Sequence, residues 1–254
     1  MLDHQYIFFP EPWQDGNWQE ISGLPLEEVW FKTEDGVRLF GWYLQAQEAI
    51  GTLLWSHGNA GNIIHRLENL EFLYRHGFSV FIFDYRGYGK SEGVPTEAGF
   101  YQDVEAAWVY LTQERKLSAE QIVAYGRSLG AAVAGELAVK RPVAGLILEC
   151  PFPSVEVVAK RLFMGLPAHR MVASRFDLAK RLKVVEVPVL VLHGDGDKVI
   201  SFDLGEAVYR AAKEPKRFYR IVGADHNDTY QVGGEGYFET LTQFVREATQ
   251  NSSK

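Results

Sequence analysis

The stretch that decides the fold is Ile122-Val123-Ala124-Tyr125-Gly126-Arg127-Ser128-Leu129-Gly130-Ala131-Ala132-Val133-Ala134. An apolar run passes through G-x-S-x-G and continues as small residues, a pattern that predicts a strand, a sharp turn and a helix. Gly126 and Gly130 lack a Cβ where strand and helix come closest, so the turn can adopt a strained backbone that exposes the Ser128 hydroxyl. The first amides of the helix favour negative charge at the same place. The stretch predicts a nucleophilic serine; the alternative is an ordinary turn with a surface serine.

The composition indicates a globular protein that needs no disulfide. The 254 residues fit one large α/β domain or two small ones, and 46% hydrophobic and 23% charged residues are ordinary for this class. Cys150 is the single cysteine, so no intramolecular disulfide can form. A net charge of −7 without a basic cluster argues against a nucleic-acid partner. We find no apolar run of the ~18–20 residues that span a membrane and no signal peptide, so we expect a cytoplasmic protein without an integral membrane segment in this chain.

Strand-like and helix-like segments alternate along the rest of the chain. Two β-rich runs flank Asp35-Gly36, which predicts an antiparallel hairpin at one edge of a sheet. The later strand-like runs are apolar on both faces, as in a mostly parallel twisted sheet with helices on both sides. Besides the opening strand and the helix from Ser128, the predicted strands span 29–33, 37–44, 52–57, 78–83, 145–149, 188–193 and 217–222, and the predicted helices 63–76, 96–113, 203–213 and 235–249. This pattern predicts the α/β class.

The chain divides into an arm and one domain. Residues 1–28 are rich in proline, tryptophan and acidic residues, and we interpret them as an N-terminal arm. Its aromatic side chains are expected to pack on the domain: Tyr6, Phe8, Phe9, Trp13 and Trp18. Residues 29–254 contain no repeat or long linker, which predicts a single domain. Residues 154–185 form an insertion between two strands and are expected to lie over the strand ends as a small helical cap.

Loops at the predicted carboxyl ends of the strands carry the candidate catalytic residues. In open α/β sheets the active site lies at this edge, and here the loops contain His57-Gly58-Asn59, Ser128, Asp195 with Asp197, and His226. A serine hydroxyl needs a base within hydrogen-bond reach to act as a nucleophile. Of the seven histidines we select His226, because it follows the last strand and gives the chain order Ser, Asp, His.

Two carboxylates are candidates to orient the imidazole of His226 and stabilise its charged form. We favour Asp197, which lies further from the end of its strand, and interpret Asp195 as a turn-forming residue. The oxyanion of a tetrahedral intermediate also needs amide donors. For these we select the backbone N–H of Leu129, directly after the nucleophile, and that of Asn59.

No motif in the sequence indicates a cofactor or a metal. The glycine-rich loop Arg86–Ser91 lacks the G-x-x-x-x-G-K-[ST] spacing of a phosphate loop, so we interpret it as a tight loop beside the pocket. No Cys/His cluster has the spacing of zinc ligands, and no G-x-G-x-x-G opens a helix after the first strand. We therefore expect neither a cofactor nor a metal ion.

Together these motifs resemble the α/β-hydrolase superfamily over residues 29–250. They occur in that family's order: H-G-N-A-G-N at 57–62, D-Y-R-G-Y-G-K-S-E-G at 84–93, G-R-S-L-G at 126–130, H-G-D-G-D at 193–197 and D-H-N-D at 225–228. The first two are similar to those of a branch that contains membrane-anchored serine hydrolases related to protein depalmitoylases, and bacterial relatives. The resemblance implies an α/β-hydrolase fold, a triad of Ser128, Asp197 and His226, and oxyanion amides from Asn59 and Leu129.

The chain departs from that branch at two points. It shows neither the N-terminal membrane anchor nor the cysteine-rich lipidated tail common there, which argues against a membrane protein as substrate. Ala131 stands where the branch often has glycine, a change that we expect to be harmless.

The predicted function is that of a serine hydrolase. It would cleave an ester or thioester of a small-molecule or acylated substrate through an acyl-enzyme. An amidase or peptidase with the same triad is an alternative, and so is a catalytically idle scaffold used for binding, although such scaffolds usually lack a triad member. A dehalogenase would need a carboxylate at the position of Ser128.

Overall fold

The predicted strands form one mixed sheet. In this computed structural model, residues 7–162 and 173–251 are described. The strands of the sheet are β1 (Glu27–Lys32), β2 (Arg38–Leu44), β3 (Thr52–Ser56), β4 (Ser79–Phe83), β5 (Ile122–Arg127), β6 (Gly145–Glu149), β7 (Val189–Gly194) and β8 (Lys216–Ile221). They are ordered β1-β2-β4-β3-β5-β6-β7-β8. β2 is antiparallel to both β1 and β4, and the other neighbouring strands are parallel. The α/β class and the mostly parallel sheet are confirmed.

The helices of the described residues connect the parallel strands, except for the first, which precedes the sheet, and the last, which follows it. They are α1 (Trp18–Ser22), α2 (Leu67–Arg75), α3 (Glu97–Val109), α4 (Leu129–Lys140), α5 (Val155–Leu162), α6 (Leu178–Leu182), α7 (Phe202–Ala211) and α8 (Thr229–Asn251). The segment predicted to be a helix from residue 63 begins with a 3₁₀ turn over Ile63–Arg66. The last helix starts six residues before the predicted Glu235 and is interrupted at Gly234, whose φ of 51° only glycine adopts freely. Within the described ranges, no helix combines the length and apolarity needed to cross a membrane.

Both faces of the sheet are buried under helices. In β5, Ile122 and Ala124 belong to one apolar layer, whereas Val123 and Tyr125 belong to the other. The first layer contains side chains of α3, α4 and α7, and the second contains side chains of α2 and α8. Since successive residues of a strand point to opposite faces, a strand covered on both sides must be apolar at every position. This explains the continuous apolar runs of the sequence.

The described part of the N-terminal arm lies across loops at the carboxyl edge of the sheet. Phe8 is buried, and its ring centroid lies 5.1 Å from that of Phe100 in α3. Phe9–Pro10 pairs in parallel with Ala60–Gly61, in the loop after β3. Trp13 packs edge-on against the domain, whereas the Phe9 side chain is 50% exposed. Tyr6 lies outside the described residues.

The insertion between β6 and β7 contributes α5 and α6. Between them, residues 163–172 lie outside the described residues, and the role of the insertion as a cap over the strand ends remains a prediction. Phe176 at the end of the insertion is fully buried, and its ring centroid lies 6.2 Å from those of both Phe8 and Phe100. The insertion and the arm therefore meet on α3.

Candidate active site

Ser128 occupies a strained turn between β5 and α4. Its backbone has φ 53° and ψ −118°, a conformation that is costly for a residue with a side chain. The close approach depends on two glycines. A Cβ on Gly126 would lie 2.3 Å from the carbonyl oxygen of Gly130, and a Cβ on Gly130 would lie 2.0 Å from that of Ser56. Any larger residue at either position would push α4 away from the sheet.

Asp197 and His226 form a hydrogen-bonded pair at the same edge. Asp197 Oδ2 lies 2.7 Å from His226 Nδ1. The other carboxylate oxygen accepts hydrogen bonds from the backbone N–H groups of Val199 and Ile200, at 2.8 and 2.7 Å. Burial raises the pKa of Asp197, but hydrogen bonds from His193 and His226 outweigh it and hold the pKa well below its usual range. A carboxylate in this position fixes the tautomer with the proton on Nδ1 and leaves Nε2 free to act as a base.

Asp195 makes a different set of contacts. It accepts a hydrogen bond from the backbone N–H of Gly223 at 2.6 Å and pairs with Arg220, whose Nη2 lies 2.6 Å from it. These bonds connect the loops after β7 and β8. Asp195 thus closes a turn, whereas Asp197 carries the contact to the imidazole.

The loop after β3 lies next to Ser128. A Cβ built on Gly58 would be 3.7 Å from Ser128 Cβ. Among the described residues, the backbone N–H groups of Asn59 and Leu129 donate to no acceptor, which leaves both available to a bound oxyanion. The described residues also show no hydrogen bond between the Ser128 hydroxyl and His226. Such bonds are often long before substrate is bound.

Tyr88 connects the loop after β3 to the N-terminal arm. Its hydroxyl donates to Asn59 Oδ1 at 3.0 Å and accepts the backbone N–H of Phe9 at 3.2 Å. The amide of the Asn62 side chain donates to the backbone carbonyl of Pro12 at 3.1 Å. Two separate segments of the chain, the N-terminal arm and the loop of Tyr88, therefore hold the loop that contains Asn59, and they also bind each other.

A buried histidine and carboxyl lie beneath this loop. His57 Nε2 is 3.9 Å from Asp84 Oδ1, and both side chains are fully buried. Burial lowers the pKa of His57 to about 3, with a further contribution from the charge of Arg66. Burial raises the pKa of Asp84 to about 7, although hydrogen bonds from the backbone N–H groups of Ile63 and Lys90 partly offset it. At pH 5 the imidazole is therefore neutral and the carboxyl is protonated.

Arg127 and Glu149 are buried beside the site, and sequence reasoning did not single them out. Arg127 Nη2 donates to the backbone carbonyl of His226 and, at 3.1 Å, to Asn227 Oδ1. Glu149 Oε1 lies 3.6 Å from Arg127 Nε. Burial lowers the pKa of Arg127, but the charge of Glu149, together with smaller contributions from Cys150 and the nearby tyrosines, outweighs burial and raises the pKa above its usual value. The sequence signal that could have identified this pair is Glu149, a charged residue at the end of the otherwise apolar strand Gly145–Glu149.

One group of side chains among the described residues has the composition of a metal site. Its potential metal-ligating atoms lie within 4.8 Å of one another and belong to Cys150, His193 and Asp197. His193 Nε2 lies 2.8 Å from the backbone carbonyl of Ile200, which accepts the proton on that nitrogen, and 3.3 Å from Asp197 Oδ2. The carboxylate of Asp197 is already hydrogen-bonded to His226 and to two amides. Burial also raises the pKa of the Cys150 thiol well above its usual value. The group therefore fits a hydrogen-bonded support for Asp197 better than a metal site.

Comparison with known proteins relates this chain to hydrolases. The model of the family described as "Serine aminopeptidase, S33" matches residues 47–177. The chain is similar to protein Rv2307c of Mycobacterium tuberculosis, at 37% identity over 229 residues that cover 89% of this chain and 82% of that protein. It is also 33% identical over 252 residues to the α/β hydrolase domain-containing protein WAV2 of Arabidopsis thaliana, covering 91% of this chain and 82% of that one.

The fold is also similar to that of a solved structure. The esterase Pf2001 of Pyrococcus furiosus superimposes with a TM-score of 0.77 and 23% sequence identity, covering 95% of this chain and 99% of that chain.

Proposed function

Because the chain belongs to the α/β-hydrolase superfamily, as its sequence motifs predict, we propose that it is a serine hydrolase that cleaves carboxylic esters or thioesters. The observation that carries the proposal is the 2.7 Å contact between Asp197 and His226, at the same sheet edge as the strained Ser128. The esterase activity named for the Pyrococcus furiosus protein supports the choice of ester chemistry.

In the proposed mechanism, Ser128 Oγ attacks the carbonyl carbon of the substrate while His226 Nε2 takes the hydroxyl proton. Asp197 stabilises the imidazolium that forms. The negative charge on the carbonyl oxygen is stabilised by the N–H groups of Leu129 and Asn59. His226 then protonates the leaving alcohol or thiol, and an acyl-enzyme remains on Ser128. Water, deprotonated by His226, hydrolyses this acyl-enzyme and restores the serine.

A peptide or amide substrate is the second candidate. The description of the matching family model as a serine aminopeptidase favours it, and the same residues would act in the same steps. Rates on p-nitrophenyl esters from acetate to palmitate, on acyl thioesters and on aminoacyl p-nitroanilides would separate the two. We expect hydrolysis of the esters or thioesters. Preferential cleavage of the anilides would favour the second candidate.

The assignment of the nucleophile is tested with a fluorophosphonate probe. We expect one adduct, located on Ser128 by mass spectrometry, and no adduct in Ser128→Ala. Ser118→Ala removes an exposed serine at the other end of β5 and should label like the wild type. Labelling at another serine, or none in the wild type, would contradict an active triad.

A further inference from the structure

The loop that holds His226 is bound by Arg127, a residue of the turn that contains the proposed nucleophile. Arg127 immediately precedes Ser128, and its Nη2 donates to the backbone carbonyl of His226 and to Asn227 Oδ1. One guanidinium therefore joins the backbone of the proposed nucleophile to the backbone of the proposed base. The G-x-S-x-G motif itself does not require an arginine at this position, because it leaves that position free.

A buried carboxylate pairs in charge with this guanidinium. Glu149 is fully buried, and its Oε1 lies 3.6 Å from Arg127 Nε, an ion-pair contact rather than a hydrogen bond. Its remaining lone pairs accept hydrogen bonds from the hydroxyl groups of Tyr125, Thr229 and Tyr237. Thr229 is the first residue of α8, so the carboxylate also binds the far end of the His226 loop.

Apart from the exposed Asn227, the network lies inside the protein, where such contacts are costly to break. Arg127 is 5% exposed, and Glu149 and Thr229 are fully buried. A buried charge that loses its partner destabilises a protein strongly, so the positions of these groups are tightly coupled. The position of the His226 backbone is therefore set relative to β5 and β6.

We propose that Arg127, paired in charge with the buried Glu149, is a positioning residue that holds His226 at the correct distance from Ser128. The inference rests on the proposed serine-hydrolase function. Because proton transfer depends steeply on the placement of the reacting groups, displacement of the base by about 1 Å can cost up to ~100-fold in rate. Substrate binding makes no use of this contact, so the effect belongs to kcat.

The test compares conservative variants of both ends of the contact. Arg127→Lys keeps a positive charge near Glu149 but has no planar fork to reach the His226 carbonyl and Asn227 together. Asn227→Ala removes the exposed end of the contact and leaves the buried ion pair in place. For hydrolysis of one p-nitrophenyl ester, we expect kcat per fluorophosphonate-titrated site to fall about 10- to 100-fold in Arg127→Lys and less in Asn227→Ala, with KM unchanged. The variant that combines Arg127→Lys with Asn227→Ala should have a kcat only slightly lower than that of Arg127→Lys alone.

Arg141→Lys is the matched control. Arg141 also pairs with a glutamate, Glu105, with its Nη2 2.6 Å from the carboxylate, but on the surface at the end of α4. It should leave kcat unchanged. If kcat per titrated site in Arg127→Lys stays within about twofold of the wild type, or if only the folded fraction falls, the inference is wrong.

Amide hydrogen exchange of residues 223–229 separates this inference from the proposed function. We expect faster exchange there in Arg127→Lys than in the wild type or in Arg141→Lys. Should Ser128 prove unreactive in the wild type, the proposed function fails, while the exchange still measures whether Arg127 holds the loop. Unchanged exchange in Arg127→Lys would overturn the positioning role by itself.

Discussion

At the scale of single residues, the two aspartates of the loop after β7 differ in what they bind. They are two positions apart, yet Asp197 reaches His226 at 2.7 Å, whereas Asp195 binds Gly223 and Arg220. Sequence spacing alone favours Asp197 only because it lies further from the end of the strand. The hydrogen bonds from Val199 and Ile200 explain why the chain turns back at that position.

We predict that Asp197→Asn lowers kcat far more than Asp195→Asn. The amide of asparagine favours the wrong tautomer of His226 and does not stabilise its positive charge, so the loss should reach about 1,000- to 10,000-fold. Asp195→Asn keeps a hydrogen-bond acceptor for Gly223 and weakens only the ion pair with the exposed Arg220, so we expect kcat to fall less than about tenfold. Steady-state kinetics on one ester decide between them, and the reverse order of effects would move the acid to Asp195.

Other residues of the site were out of reach of sequence reasoning. The order Ser, Asp, His and the glycines of the turn could be identified from the sequence, because strand ends and close approaches depend on local patterns. The contact of Arg127 with the His226 loop joins residues 99 positions apart. The partner of Tyr88 depends likewise on how the arm crosses the loop after β3. Local patterns carry no information on such long-range side-chain contacts.

At the scale of elements, the sheet and most helices follow from the apolar pattern of the sequence. The predicted and observed elements differ mainly at the ends of helices. The first turn after Asn62 is a 3₁₀ turn that Asn62 and His65 cap reciprocally. The last helix starts at Thr229, whose hydroxyl bonds to Glu149, and then breaks at Gly234. Both differences arise where tertiary contacts, rather than helix propensity, decide the geometry.

The arm and the loop after β3 act as a connected pair of elements. We predict that Tyr88→Phe lowers kcat, because the Asn59 loop and the Phe9 N–H both lose a hydrogen-bond partner. The loss should be smaller than the about 100- to 1,000-fold that removal of an oxyanion donor costs, with about 1 kcal/mol lost from the free energy of unfolding. Kinetics and urea denaturation measure the two effects.

Tyr209→Phe is the control for this prediction. It removes a hydroxyl from a ring that packs on Phe218 in another part of the molecule, and it should leave kcat unchanged. Equal kcat values for Tyr88→Phe and the wild type would show that the arm does not support the loop.

At the scale of the whole molecule, we propose that residues 29–254 form one domain. Each central strand contributes to the apolar layers on both faces of the sheet, so neither layer exists without the other. The arm adds Phe8 to one layer, and the ring of Trp13 packs on Phe40 and Trp42 of the other.

The pair of His57 and Asp84 links the stability of the whole molecule to pH. Between about pH 4 and 6.5 the folded pair holds one proton on Asp84, because the pKa of His57 is about 3 and that of Asp84 about 7. The unfolded chain also holds one proton, on the histidine, whose ordinary pKa is 6.5, while the ordinary pKa of the aspartate is 3.8. Equal proton numbers in both states give no pH dependence of stability from this pair.

We predict that single substitutions reveal two opposite slopes. In His57→Gln the folded state binds more protons than the unfolded state, so the free energy of unfolding should fall, relative to wild type, as the pH rises from about 4 to 7. In Asp84→Asn only the histidine titrates, so that free energy should rise with pH from about 3 to 6.5. Urea denaturation at a series of pH values measures both. The double variant should match the wild-type profile, and parallel profiles for all four proteins would exclude this account.

The burial of Cys150 has a practical consequence for attaching the protein to surfaces. Its thiol is buried, and its raised pKa keeps it out of the reactive thiolate form. A cysteine introduced at the exposed Gln250 would therefore be the preferred target for a maleimide. That end of α8 packs beside Gly51, where an added Cβ would lie 2.7 Å from Val245, at the amino edge of the sheet. Immobilisation through this position would leave the opposite edge, with Ser128 and His226, facing the solution.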